Sequence, residues 1–137
     1  MAEPVRGALD HIVLCVADVE RSLAFYSGVL GLAAERVDEW RSGKAPFASV
    51  RIGPESIIDL LGPEHWGGSR GLGAGNVDHF CIAVAEDEWE GLLDRLARAG
   101  VATEKGPMRL SGARGSGTAI YVRDPDGNRL ELRYYSA

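Results

Sequence analysis

The stretch Leu9-Asp10-His11-Ile12 opens an apolar run that ends at Val16. It returns as Val77-Asp78-His79-Phe80, at an offset of 68 residues. Working outward, Leu30-Gly31-Leu32 returns as Ala99-Gly100-Val101 at an offset of 69, and the run 47–61 returns as 119–133 at an offset of 72. Inside that last pair Val50-Arg51 matches Val122-Arg123, and Ile58-Asp59-Leu60 matches Leu130-Glu131-Leu132. Self-similarity at a nearly fixed offset marks a repeated structural unit, and the drift marks small loop insertions. The 137 residues therefore read as one domain built from two copies of a module, about 7–61 and about 76–135. Between them residues 62–76 hold six glycines in fifteen positions, a flexible connector that also carries His65, Trp66 and Arg70.

Within each copy the hydrophobic period changes. His11 to Val16 reads as a strand, and Asp18 can cap a following helix. Val19, Leu23, Tyr26 and Leu30 then recur at helical spacing, and Gly31 stops the run. The second copy repeats this with a strand at His79 to Val84, a stripe of Trp89, Leu92, Leu93 and Leu96, and a stop at Gly100. Strand-like runs follow each helix, the clearest being Ala119 to Arg123, the turn Asp124-Pro125-Asp126-Gly127, and Asn128 to Tyr134. The stretch Lys105 to Gly117, with Lys105, Arg109 and Arg114 among four glycines, reads as a basic surface loop. The unit is strand, helix and about three strands, made twice, which predicts an α+β fold.

Composition narrows the function. Apolar residues are 45% and charged residues 26%, values of a globular chain rather than a disordered or fibrous one. No apolar run approaches the ~18 residues of a membrane span. The opening Met-Ala-Glu-Pro-Val-Arg has no secretory core. A net charge of −5 lacks the basic footprint of a nucleic-acid binder. Cys15 and Cys81, far apart and in apolar runs, read as reduced thiols of a cytoplasmic protein.

Strand alternation then sorts the polar side chains. Ile12, Leu14 and Val16 share the face that packs on the helix, and His11, Val13 and Cys15 share the other. Phe80, Ile82 and Val84 oppose His79, Cys81 and Ala83 in the same way. Asp59 lies opposite Ile58 and Leu60, and Glu131 lies opposite Leu130 and Leu132. Each module thus places one histidine and one carboxylate on the sheet face turned away from its helix. With the two sheets paired around that face, His11, Asp59, His79 and Glu131 converge. Two imidazoles and two carboxylates suit Fe(II), Mn(II), Ni(II), Co(II) or Zn(II). A lone strand histidine usually has a structural role, but here the same residue type recurs at matched positions of both copies.

These residues carry a resemblance. The run His11 to Val16, with Ser22, Phe25-Tyr26 and Leu30-Gly31-Leu32, is similar to the opening signature of the glyoxalase I family. The chain from about Leu9 to Tyr134 resembles the vicinal oxygen chelate superfamily of glyoxalases, epimerases, extradiol dioxygenases, fosfomycin-resistance enzymes and bleomycin-binding proteins. The resemblance implies paired βαβββ modules forming a cupped, incompletely closed mixed β-barrel with helices outside and a divalent metal at its mouth. By position it implies His11, His79 and Glu131 as metal ligands, with Asp59 where glyoxalase I has a fourth, usually glutamate. Aspartate is one methylene shorter, so Asp59 would bind directly, bind through water, or act as a base. Tyr121-Val-Arg-Asp-Pro-Asp-Gly-Asn-Arg-Leu-Glu131 resembles part of the extradiol dioxygenase signature. The histidine that signature places before the tyrosine is absent, since Gly112, Ala113 and Arg114 stand there.

The chemistry implied is bidentate chelation of two neighbouring substrate oxygens, with the cation stabilising the negative charge that develops on them. Glu131 is the implied base, Asp59 a second candidate, and Tyr121 a candidate hydrogen-bond donor to substrate. The expected function is a divalent-metal-dependent, glyoxalase-like lyase or isomerase acting on a small substrate with vicinal oxygens, as a homodimer. The alternatives are an Fe(II) ring-cleaving dioxygenase, a fosfomycin-type transferase, and a metal-free protein that binds a drug or metabolite in the manner of bleomycin-resistance proteins.

Overall fold

The structure is a computed structural model that describes residues 8–68, 77 and 79–137. The first module runs β1 (His11–Cys15), α1 (Val19–Leu23), β2 (Ala33–Glu35), α2 (Val37–Arg41), β3 (Phe47–Gly53) and β4 (Ser56–Leu61), followed by α3 (Pro63–Trp66). The second runs β5 (Phe80–Ala83), α4 (Trp89–Arg98), β6 (Lys105–Gly112), β7 (Gly115–Arg123) and β8 (Arg129–Tyr134). Each forms a four-stranded mixed sheet of matching order, β1-β4-β3-β2 and β5-β8-β7-β6. In both, the first strand pairs parallel with the last and the other pairs are antiparallel. The duplication is thus visible in topology, and the two sheets do not close on each other.

Local chemistry explains the helices. Asp18 accepts the Arg21 amide at 3.1 Å and caps α1. Beyond Leu23 the coil widens into a π-turn over Ala24–Val29, with the Leu30 amide reaching the Phe25 carbonyl at 2.9 Å. Val19, Leu23, Tyr26 and Leu30 are all buried, as their spacing predicts. Gly31 then turns the chain at φ +81°, and the Arg95 guanidinium of α4 lies against it where a side chain would stand.

One apolar core serves both modules. It joins Val16, Leu23, Tyr26, Val50, Ile58 and Leu60 to Ile82, Trp89, Leu96, Ile120, Leu130 and Leu132. These are the helix-side residues of both sheets, so the modules meet through their helical layers. The Asp124-Pro125-Asp126-Gly127 turn fastens that seam. Buried Asp126 accepts the Ala17 amide at 3.2 Å and the Arg21 guanidinium at 2.7 Å, while Asp124 accepts the Tyr26 hydroxyl at 2.7 Å. Burial, and then the Asp124 charge, push the Tyr26 hydroxyl far above the ordinary tyrosine range.

The stretch Lys105–Gly117, expected as a loop, is instead the β6–β7 hairpin, with Ser111 opposite Ser116 and Met108 opposite Ala119. The alternation of Met108 and Leu110 along β6 is the strand signal, diluted by neighbouring glycines and Pro107. Arg114 there stacks on Tyr135 at 4.5 Å. The connectors hold two short helices instead of plain coil. Trp40 of α2 packs against the core, and the Trp66 indole donates to the Val16 carbonyl at 3.1 Å. The connector beyond Gly68, with Arg70, lies outside the described residues, as does Asp78.

Candidate functional site

The second module gathers a polar cluster on the sheet face away from its helix. The β5–β8 register sets Cys81 beside Glu131, and the β7–β8 register sets Tyr121 opposite it. His79 lies immediately before β5, and its Nε2 stands 3.2 Å from Glu131 Oε1. Tyr121 donates its hydroxyl to the same oxygen at 3.2 Å. The other carboxylate oxygen, Oε2, accepts from Arg133 Nε at 2.9 Å and from Arg133 Nη2.

Arg133 is only 4% exposed at its side chain, and each guanidinium nitrogen is engaged. Besides Glu131 it donates to the Leu110 carbonyl at 3.3 Å, the Ser111 carbonyl at 2.9 Å and the Tyr135 hydroxyl at 3.3 Å. Gly112 makes room for it, because a Cβ there would collide with Arg133 Nη1 and the Tyr135 oxygen. Burial works to raise the Glu131 carboxyl, but the Arg133 hydrogen bond, helped by Cys81 and Tyr121, holds it below the usual glutamate range. Burial, and then the Glu131 charge, push the Cys81 thiol up to about 11, so it is no ready nucleophile.

The first module repeats this with different residues. Asp59 on β4 faces Ser49 on β3, whose hydroxyl donates to Asp59 Oδ1 at 2.6 Å. Arg36, between β2 and α2, donates from Nη2 to Ser49 at 2.8 Å and reaches Asp59 Oδ1 at 3.4 Å. Asp59 Oδ2 carries no hydrogen bond among the described residues. His11 is half-exposed on β1, with its Nδ1 2.7 Å from Asp10 Oδ2.

The structure therefore brings His79, Glu131 and Tyr121 together and keeps Asp59 with Ser49 and Arg36. His11 stands with Asp10. Among the described residues no three histidine, cysteine or acidic side chains of one chain gather as a ligand set. The helix-side core explains this, since it holds the modules together by the faces opposite these clusters. The His79–Glu131 pair does suit a cation. Two ligands about 2.1 Å from one metal at near-right angles lie roughly 3 Å apart, close to the 3.2 Å here. His65 is exposed in α3, with Nε2 3.9 Å from Glu64.

Arg36, Ser49 and Arg133 are absent from the sequence-derived candidates. Ser49 was within reach, because the 72-residue offset lays it on Tyr121. Arg133 had no repeat partner of like chemistry, and Arg36 falls where the offset drifts between 69 and 72 and the match is ambiguous.

A duplicated βαβββ chain with histidine and carboxylate on its outer sheet faces belongs to a recognisable class of α+β folds. A sequence model of the Glyoxalase/Bleomycin resistance protein/Dioxygenase superfamily matches residues 8–132, and the chain belongs to that superfamily. It is 35% identical over 129 residues to a lactoylglutathione lyase of Salmonella typhimurium, covering 90% of each chain. It is 27% identical over 128 residues to glutathione transferase FosA of Serratia marcescens, covering 91% of this chain and 79% of that one. The crystal structure of virulence protein STM3117 from Salmonella typhimurium superposes with a TM-score of 0.75 at 27% identity, covering 97% of this chain and 100% of that one.

Proposed function

We propose that this protein is a divalent-metal-dependent, glyoxalase-like lyase or isomerase that acts on a small substrate with vicinal oxygens. The observation that carries the reading is the His79–Glu131 pair, an imidazole nitrogen and a carboxylate oxygen 3.2 Å apart. Arg133 keeps that carboxylate ionised and oriented. The relation to lactoylglutathione lyases supports the reaction class.

The ligands are His79 and Glu131 from one chain, with His11 and Asp59 Oδ2 from a second copy, in a homodimer. The unjoined outer sheet faces and the exposed Leu9, Val13 and Val77 support that assembly. When bound, the cation, one of Ni, Co, Zn, Mn or Fe, supplies electrostatic stabilisation to negative charge on the substrate oxygens. Glu131 is the base that takes and returns the substrate proton, and the Tyr121 hydroxyl steadies its carboxylate. Such a base typically contributes about 10²–10⁴-fold in rate. Among the described residues no helix is long and apolar enough to cross a membrane. We place the protein in the cytoplasm with its cysteines reduced.

Ni(II)- or Co(II)-loaded protein is expected to isomerise thiohemiacetals formed from 2-oxoaldehydes. Fe(II)-loaded protein is expected to leave simple catechols uncleaved, because Gly112, Ala113 and Arg114 supply no acid–base histidine. Oxygen uptake with catechols that disappears in His79→Ala would replace this reading with a dioxygenase.

A further inference from the structure

The two modules each set an arginine on their central carboxylate, and the two arginines differ in one respect. Arg133 is buried and spends every guanidinium nitrogen on protein acceptors. Arg36 has a side chain 42% exposed, and only its Nη2 is engaged. Its Nε and Nη1 have no partner among the described residues.

We propose that Arg36 is a specificity-determining residue of the outer sheet face, receiving an oxyanion group of the ligand such as a carboxylate, and that Asp59, Ser49 and Phe47 hold it in place for that purpose. The assignment rests on the reading above only in taking the ligand to be the substrate.

Five observations converge on it. Arg36 has φ 60° and ψ 22°, and it is the only non-glycine at positive φ among the described residues. A side chain in the left-handed region is strained and persists where its surroundings fix it. Those surroundings are present: the guanidinium lies over the Phe47 ring at 4.8 Å and is tethered through Nη2 to Ser49. The tether leaves Nε and Nη1 unused, because Asp59 takes its short bond, 2.6 Å, from Ser49, and Arg36 meets Asp59 only through Nη2, at 3.4 Å. The neighbouring carboxylate, Glu35, is already held by both Nε and Nη2 of Arg51, at 2.8 and 3.0 Å. The registers place Ser49, Asp59, Glu35, Phe47 and His11 on one sheet face, the face turned away from the core. A fixed, half-exposed guanidinium with unused N–H groups is a receptor for an oxyanion, and its hydrogen bonds to a charged acceptor are stronger than to a neutral one.

The test uses the full chain freed of metal with EDTA, so that its outcome is independent of the metal reading. The probes are propionate and its neutral isostere propionamide, followed through the arginine Nε–Hε resonances by ¹H–¹⁵N NMR. The Arg36 signal, assigned with Arg36→Lys, is expected to shift saturably with propionate, with Kd on the order of 1–10 mM. The Arg133 signal is expected to stay still, and propionamide to bind at least about tenfold more weakly. Arg36→Gln is expected to abolish the propionate response in the backbone amides of residues 35–37. If Arg36→Gln fails to fold with Asp59 left charged, the neutral pair Arg36→Gln/Asp59→Asn replaces it, with the same expectation. An unmoved Arg36 signal, equal shifts with propionamide, or a response that survives both variants would overturn the assignment. Metal titration of the same wild-type protein reports on His79 and Glu131 separately, so the two readings fail independently.

Discussion

Tyr121 stands in cross-strand register with Glu131 and gives its hydroxyl hydrogen to Oε1 at 3.2 Å. One repeat earlier, Ser49 occupies the same place opposite Asp59, at 2.6 Å. The duplicated unit has therefore kept a relationship, hydroxyl to carboxylate across the last antiparallel pair, while changing both residues that make it. Such a pair helps to hold a buried carboxylate in one rotamer and supplies one of the hydrogen bonds it needs.

Metal titration checks the ligand set. Calorimetry with Ni, Co, Zn, Mn and Fe is expected to give about one ion per chain, abolished by His11→Ala, His79→Ala or Glu131→Ala with the fold retained. Asp59→Ala is expected to weaken binding less. Mixing the His11→Ala and His79→Ala chains is expected to restore about a quarter of the wild-type sites, since half the dimers are mixed and each has one intact site. No restoration, or a monomer mass by light scattering, would leave the cross-chain site without support.

Tyr121→Phe removes the hydroxyl from Glu131 and leaves the ring in place. Metal affinity is expected to fall about tenfold, with unfolding free energy changed by about 1 kcal/mol. An unchanged affinity would make Tyr121 a wall residue.

Tyr26 links stability to pH. Its hydroxyl is held protonated in the fold far above the ordinary tyrosine range, by burial first and the Asp124 charge second. The contribution is complete below about pH 10, where the unfolded tyrosine titrates, and is lost at about 1.4 kcal/mol per pH unit above it. Urea unfolding between neutral and alkaline pH is expected to show a steeper decline in wild type than in Tyr26→Phe. At neutral pH the variant is expected to be less stable by about 1–3 kcal/mol, because Asp124 loses one of its donors in a buried setting.

Gly112→Ala places a Cβ where the Arg133 guanidinium lies. The expected cost is about 1–3 kcal/mol in stability and about tenfold in metal affinity. Gly53→Ala is the control, since nothing lies within 4 Å of its Cβ position, and its expected effect is within about 0.5 kcal/mol.

The sequence made the modules, the helix faces and the outward placement of Asp59 and Glu131 legible, because each depends on short-range period or on the repeat. The partners of those carboxylates were harder to read. Arg36 reaches Asp59 from a left-handed residue outside any regular strand, and Arg133 turns back on its own strand to meet Glu131 and the β6 carbonyls. The Asp-Pro-Asp-Gly segment read as a turn, which it is. Its second duty of gripping α1 depends on how the modules dock, and that is a long-range property.

The single core that joins the two helical layers also ties the repeats together energetically. A module separated from its sibling would leave Val19, Leu23 and Leu30 on one side, or Trp89, Leu92 and Leu96 on the other, covered by its own sheet alone. The two halves share one interior, so the duplicated chain is expected to melt as one cooperative unit rather than in two steps.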